Sequence, residues 1–175
     1  MAGGRPFLSR YADIVTPNST YPLHLAGITA HPAGESVTQQ ARNLLITLDE
    51  HADSFKFVIR DRDAKFTAAF DEVFTAAGMR IVKSPVQAPR AHAMAERWVA
   101  SARRECLDPM LISGERHLRL VLSEYVDHYN GHRPHRTLQQ NPPARRTHLP
   151  GGVTGMCVGR RDRLGRLIHE YAQVA

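Results

Sequence analysis

Two hydrophobic periods alternate along residues 23–84, and this alternation limits the possible fold more than any other feature of the chain. LHLAGIT (23–29) reads as a short, mostly buried strand, broken by the Pro and Gly of HPAGE. Val37, Ala41, Leu44, Leu45 and Leu48 then fall on one side of a helix. FKFVIR (55–60) is a second buried strand and runs into the polar cluster Asp61, Arg62, Asp63. Phe70, Val73, Phe74 and Ala77 return to helical spacing before Gly78, a suitable C-terminal stop, and MRIVKS (79–84) is a third strand. Strand, helix, strand, helix, strand predicts an α/β layer. Each strand is nearly apolar throughout, so the sheet needs helices on both faces.

Downstream the chemistry changes. PVQAPRAHA (85–93) contains two prolines and is expected to be an extended loop. Ala95, Val99, Ala102 and Cys106 mark the inner face of a helix that Pro109 ends, and Leu118, Leu122, Tyr125 and Tyr129 mark another. The Pro- and Arg-rich stretch 132–146 is unsuited to regular structure, and RLIHEYA near the end has the makings of a late strand. In residues 1–22, Pro6, Pro17 and Pro22 interrupt every apolar cluster, so a strand there is short or at an edge. With 175 residues, 42% of them hydrophobic, the chain can bury one sizeable core with a small appendage. The expected divisions are an atypical N-terminal segment (1–22), a core (23–143) and a C-terminal extension (144–175).

The formal charge of +6 and a pI near 9.8 suit a polyanionic partner. Twenty of the 23 basic residues are Arg, whose planar fork meets phosphate bidentately. Two distant cysteines without a C-x-x-C exclude a disulfide scaffold or zinc ribbon and fit a reducing compartment. No apolar run reaches the roughly 18 residues of a membrane span, and MAGGRPFLSR lacks the apolar heart of a signal peptide. A cytoplasmic protein with no membrane partner is the expectation.

Asp61 stands just past a buried strand, where functional side chains leave the sheet in α/β folds. Glu96 lies on the helix after the Pro-rich loop, with 34 residues between the two acids. Two carboxylates brought to one sheet edge are what a Mg²⁺ site needs, since that ion takes hard oxygen ligands. Acids at strand ends and on helix surfaces are also commonly just solvated, and spacing does not choose between the two.

The surrounding text is more specific. Asp61-Arg-Asp-Ala-Lys-Phe66, then Ser84-Pro85, then Arg90-Ala-His-Ala-Met-Ala-Glu96-Arg97, resembles the catalytic core of DDE-type transposases and retroviral-like integrases, especially bacterial insertion-sequence transposases. Tyr129-Asn130-x-x-Arg133-Pro134-His135-x-x-Leu138, with Pro142 and Pro143 beyond, is similar to the segment closing the core in that family. The likeness runs from about Leu23 to Pro143 and returns in RRDRLGRLIHEYA. It implies a ribonuclease-H-like mixed sheet flanked by helices, its N-terminal first strand atypical or missing. It also implies two Mg²⁺ (or Mn²⁺) ions held by three carboxylates for in-line attack on a phosphodiester. Asp61 corresponds to the second acid and Glu96 to the third; Asp61 rather than Asp63 stands five residues before Phe66.

The first acid is the departure. Extending the match upstream without a gap places it near Gly3, which cannot bind metal, and Asp13 is the sole carboxylate in residues 1–34. Asp13 takes that role only if the strand is shifted; otherwise metal binding is impaired and the copy is truncated and inactive. His92 stands where the family commonly has Asn. Lys65 and Arg97 beside the acids, Arg90, His92, Arg103 and Arg104 along the helix, and Arg133, His135 and Arg136 in the closing segment are the candidate DNA contacts. Charge balance or a solvated helix face explains several of them as well. Trp98 reads as packing. His128, His132 and His135 invite zinc, but Gly131 ends the helix between them and Arg133 and Arg136 add opposing charge. Double-stranded DNA and a homo-oligomer are the expected partners. The rival readings are a non-catalytic remnant that binds DNA or another subunit, and a ribonuclease-H-like nuclease acting on RNA–DNA hybrids.

Overall fold

A computed structural model describes residues 22–29, 32–85, 89–144 and 157–174. The expected α/β architecture is present: helices packed with small sheets. Helix α1 (Gly34–Leu48), strand β1 (Phe57–Arg60), helix α2 (Ala68–Ala76) and strand β2 (Arg80–Lys83) form the first half. Strands β1 and β2 pair in parallel, Phe57 opposite Arg80 and Arg60 opposite Lys83. The α2 N-terminus is capped by Thr67, whose side chain accepts the Phe70 N–H. At the other end Gly78, at a φ of 79°, turns the chain so that the Met79 N–H donates to the Phe74 carbonyl at 3.0 Å. Val37, Ala41, Leu44 and Leu48 of α1 meet Phe70 and Phe74 of α2 over Val58 and Met79. Phe66, Phe70 and Phe74 succeed one another with ring centroids 4.8 and 5.1 Å apart.

The second half is built on helices α3 (Pro89–Ala102) and α4 (Glu115–Gly131), followed by a hairpin of β3 (Cys157–Arg163) and β4 (Ile168–Val174). Between α3 and Pro109 the chain makes one π-helical turn over Arg103–Leu107, closed by the Asp108 N–H on the Arg103 carbonyl at 2.8 Å. Trp98, Ala102 and Cys106 pack on Leu118, Val121, Leu122 and Tyr125, with Leu164 of the hairpin turn and Ile28. This cluster shares no residue with the first.

Three sequence expectations change. Residues 23–29 belong to no strand ladder: the Leu23 N–H donates to Asn130 Oδ1 and its carbonyl accepts from Asn130 Nδ2, both at 2.8 Å. A side-chain amide offers one donor and one acceptor and so replaces a neighbouring strand at that residue. Residues 85–93 are not all loop, because α3 already starts at Pro89. A proline in the first helical turn loses no hydrogen bond and has its φ preset, so it opens this helix. Finally, the β1–β2 pair is covered on the face of Val58 and Ile81, whereas Phe57 and Val82 on the opposite face remain exposed.

Candidate functional site

Strand β1 delivers Asp61 to the carboxyl end of the parallel pair, the edge at which α/β folds place functional groups. Local bonds shape this corner. The Ser84 N–H continues the ladder to the Arg60 carbonyl at 2.9 Å, and Arg62 Nε reaches the Ser84 carbonyl at 3.1 Å. Ser84-Pro85 is thereby fastened beside Asp61. Asp61 is half-buried; its Oδ1 accepts the Asp63 N–H at 3.0 Å, and its carbonyl accepts from Arg60 Nη1. Arg60 is buried and held bidentately by Asp71, both contacts at 2.6 Å, so the strand end is rigid.

Glu96 sits on the exposed side of α3, together with Arg97 and Ala100, opposite the buried Ala95, Trp98 and Ala102, and Arg104 is exposed in the turn that follows. The inward face was legible from apolar spacing, and Trp98 is a packing residue. Arg103 is half-buried, and Arg104 pairs with Glu105 at 3.3 Å in a largely exposed contact. Arg90 and His92 fall in the first turn of α3, where only the backbone is described. Asp13 lies outside the described residues, as do residues 1–21 of the expected N-terminal segment. Lys65 is turned inward, its Nζ 4.7 Å from the Phe66 ring centroid and 3.5 Å from Asp63.

Asp61 and Glu96 supply the oxygen donors that Mg²⁺ favours. Among the described residues, however, no group of three or more His, Cys, Asp or Glu is arranged to hold a metal ion. The donor chemistry fits the ion, and the described donors fall short of a full set.

The Tyr129-to-His135 segment is engaged inside the protein. Glu105, carried by the π-turn, accepts from Arg133 Nε at 2.9 Å, Arg133 Nη2 at 2.8 Å and Tyr125 Oη at 2.8 Å. Burial pushes the Glu105 carboxyl up, but the hydrogen bonds from Arg133 and Tyr125 and the Arg133 charge outweigh it and hold the group at about 2. Burial and the bond to Glu105 push the Tyr125 phenol up. The Arg133 guanidinium lies 5.3 Å over the Tyr129 ring, and the His135 ring meets the Tyr129 ring edge-on, their centroids 4.6 Å apart. Burial lowers the His135 imidazole. Asn130 holds Leu23 and also accepts the Ala144 N–H on its carbonyl at 2.8 Å. Thus Arg133 and His135, both candidate DNA contacts, serve the interior, while Arg136 is exposed.

A buried carboxylate also escaped the sequence reading. Glu170 of β4, its side chain 2% exposed, is met by His128 at 3.1 Å, His132 at 3.5 Å and Arg163 at 3.1 Å. Burial raises its carboxyl, and His128, Arg163 and His132 more than reverse that. The Leu164 N–H donates to Glu124 of α4 at 3.0 Å. The i, i+4 histidine pair that invited a metal reading anchors the hairpin to α4. The sequence signal was an acid at an inward position of the late strand, alternating with the exposed His169 and Tyr171.

Residues 77–143 match the family model described as an integrase core domain. No curated protein and no solved structure matches the chain. The α/β architecture agrees with a ribonuclease-H-like core of that family. No helix among the described residues is long and apolar enough to cross a membrane.

Proposed function

We propose that this chain, an integrase core by its residues 77–143, is the catalytic-core region of a DDE transposase or integrase acting on double-stranded DNA. The observation that carries the reading is that the matched stretch presents Glu96 exposed on a packed helix, with Arg97 and Arg104 also exposed. Asp61, at the strand edge beside Ser84-Pro85, is its partner acid, and Asp13 is the candidate for the third. These carboxylates would hold Mg²⁺ or Mn²⁺, which supplies charge neutralisation at a phosphodiester under attack. Arg97, Arg103, Arg104 and Arg136, with Arg90 and His92 at the start of α3, are the groups proposed to meet phosphate. Lys65, Arg133 and His135 act instead by packing. Two free thiols, Cys106 buried and Cys157 exposed, suit work in the reducing cytoplasm.

A second reading is favoured by the donor count. With Asp13 as the sole carboxylate before Glu35, and no three-residue cluster among the described residues, a copy that holds DNA or another subunit without cutting it follows naturally. A Mg²⁺-dependent nicking and strand-joining assay on DNA ends separates the two. Activity that disappears in Asp61→Asn and Glu96→Gln, with unchanged melting, supports the enzyme. DNA binding without any cleavage supports the remnant. Cleavage that survives both substitutions overturns the assignment of the acids.

A further inference from the structure

We propose that the outward face of the β3–β4 hairpin is a second DNA-contacting surface, set on the protein apart from α3. The proposal rests on the DNA-directed reading above. In the antiparallel register, Gly159, Arg161 and Arg163 oppose Ala172, Glu170 and Ile168 on one face, and Val158, Arg160 and Asp162 oppose Gln173, Tyr171 and His169 on the other. The first face is the mount. Glu170 is gripped by His128, His132 and Arg163, and Leu164 is buried against α4.

The second face points to solvent and has no described element over it. Tyr171 is 63% exposed, and Val158 is exposed beside the Arg160–Tyr171 pair. At the turn, Leu164, Gly165 and Arg166 all adopt positive φ, of 50°, 64° and 76°, and this projects Arg166, whose side chain is 82% exposed. Asp162 is the acid on this face, and it is shared: Arg160 Nε at 2.7 Å, His169 Nδ1 at 2.8 Å and Arg166 Nε at 3.5 Å all converge on it. One carboxylate therefore faces two guanidinium groups and an imidazole. Such exposed pairs are weak enough to rearrange around an incoming phosphate.

Charge excess, an exposed aromatic ring and the ribbon shape together select the ligand. A two-stranded antiparallel ribbon has the width of the DNA major groove, arginines match phosphate oxygens, and a tyrosine hydroxyl donates to a phosphate oxygen. Because the inner face is clamped to α4, little ordering accompanies binding.

The test uses the full chain and a ~30-bp duplex, with anisotropy titrations from about 50 to 200 mM salt. Arg160→Ala with Arg166→Ala is expected to weaken binding about tenfold at the low-salt end and to reduce the salt slope by about 2, while leaving melting unchanged. Arg166→Glu, a change at the exposed turn alone, should give a loss of the same sign. Arg103→Ala with Arg104→Ala reports separately on α3. Wild-type protein that does not bind the duplex overturns both the DNA reading and the hairpin surface. Binding that responds to the α3 pair but keeps its affinity and salt slope in the hairpin variants overturns the hairpin surface only. Hairpin variants that change the solution mass instead of DNA affinity assign the face to self-association and likewise overturn the proposal.

Discussion

The two halves of the molecule are held together by different physics. In the first, α1 and α2 close over β1 and β2 through aliphatic and phenyl side chains, and the ion pair of Arg60 with Asp71 fixes a strand end at the edge of that core. In the second, the apolar contacts between α3 and α4 are interleaved with charged clusters centred on Glu105 and Glu170. An apolar core tolerates imprecise geometry, whereas a buried carboxylate demands every one of its partners. The second half is thus the more exacting of the two scaffolds. Salt, pH and single charge changes should act mainly on the second half.

The largest effect should come from the apolar side. Phe74→Ala is expected to cost about 3–5 kcal/mol. In native-state hydrogen exchange it should expose the amides of α1, β1, α2 and β2 while those of α4 keep their protection. Equal loss in both halves would join them into one cooperative unit and break the comparison. Glu105→Gln should follow, at about 2–3 kcal/mol read from urea unfolding, because it removes the charge and leaves Arg133 and Tyr125 one accepting oxygen in place of two. The same carboxyl gives the pH dependence. Held at about 2 against an ordinary value of 4.5, it binds fewer protons folded than unfolded. Its contribution is complete above pH 4.5 and fades as pH falls toward 2; Glu105→Gln should flatten that part of the acid-stability curve. Glu170→Gln should cost about 1–2 kcal/mol and speed exchange chiefly within the hairpin. Smallest is Asn130→Ala, about 1 kcal/mol, seen as faster exchange of the Leu23 amide.

What could be read from the sequence follows the same division. Helix faces such as Val37 to Leu48 and Leu118 to Tyr125 announced themselves through spacing, because apolar burial repeats with the backbone period. The strand end at Asp61 was legible for the same reason. The expected strand at 23–29 was not formed, because hydrophobicity cannot tell whether a segment's partner is a strand or the amide of Asn130, 107 residues away. Arg133 read as a DNA contact because it belongs to the Tyr129-to-Leu138 motif of a DNA-directed family; its partner Glu105 is contributed by a turn with no local signature. The inward set of Glu170 required knowing which strand face meets α4. Periodic burial was visible, then, and long-range polar partnership was not.

The π-helical turn at Arg103–Leu107 has one further effect. Each residue of a helix advances the side chains by about 100°, so one surplus residue in a single turn rotates everything after it by that angle relative to Glu96. The turn works as a phase shifter: upstream, Glu96 and Arg97 look outward, and within it Cys106 is buried against α4 while Glu105 is set toward Arg133 and Tyr125. Deleting Arg104 should restore a regular coil and swing Glu105 out of alignment with Arg133. The spacing of the two motifs is accordingly a matter of angle as much as of distance.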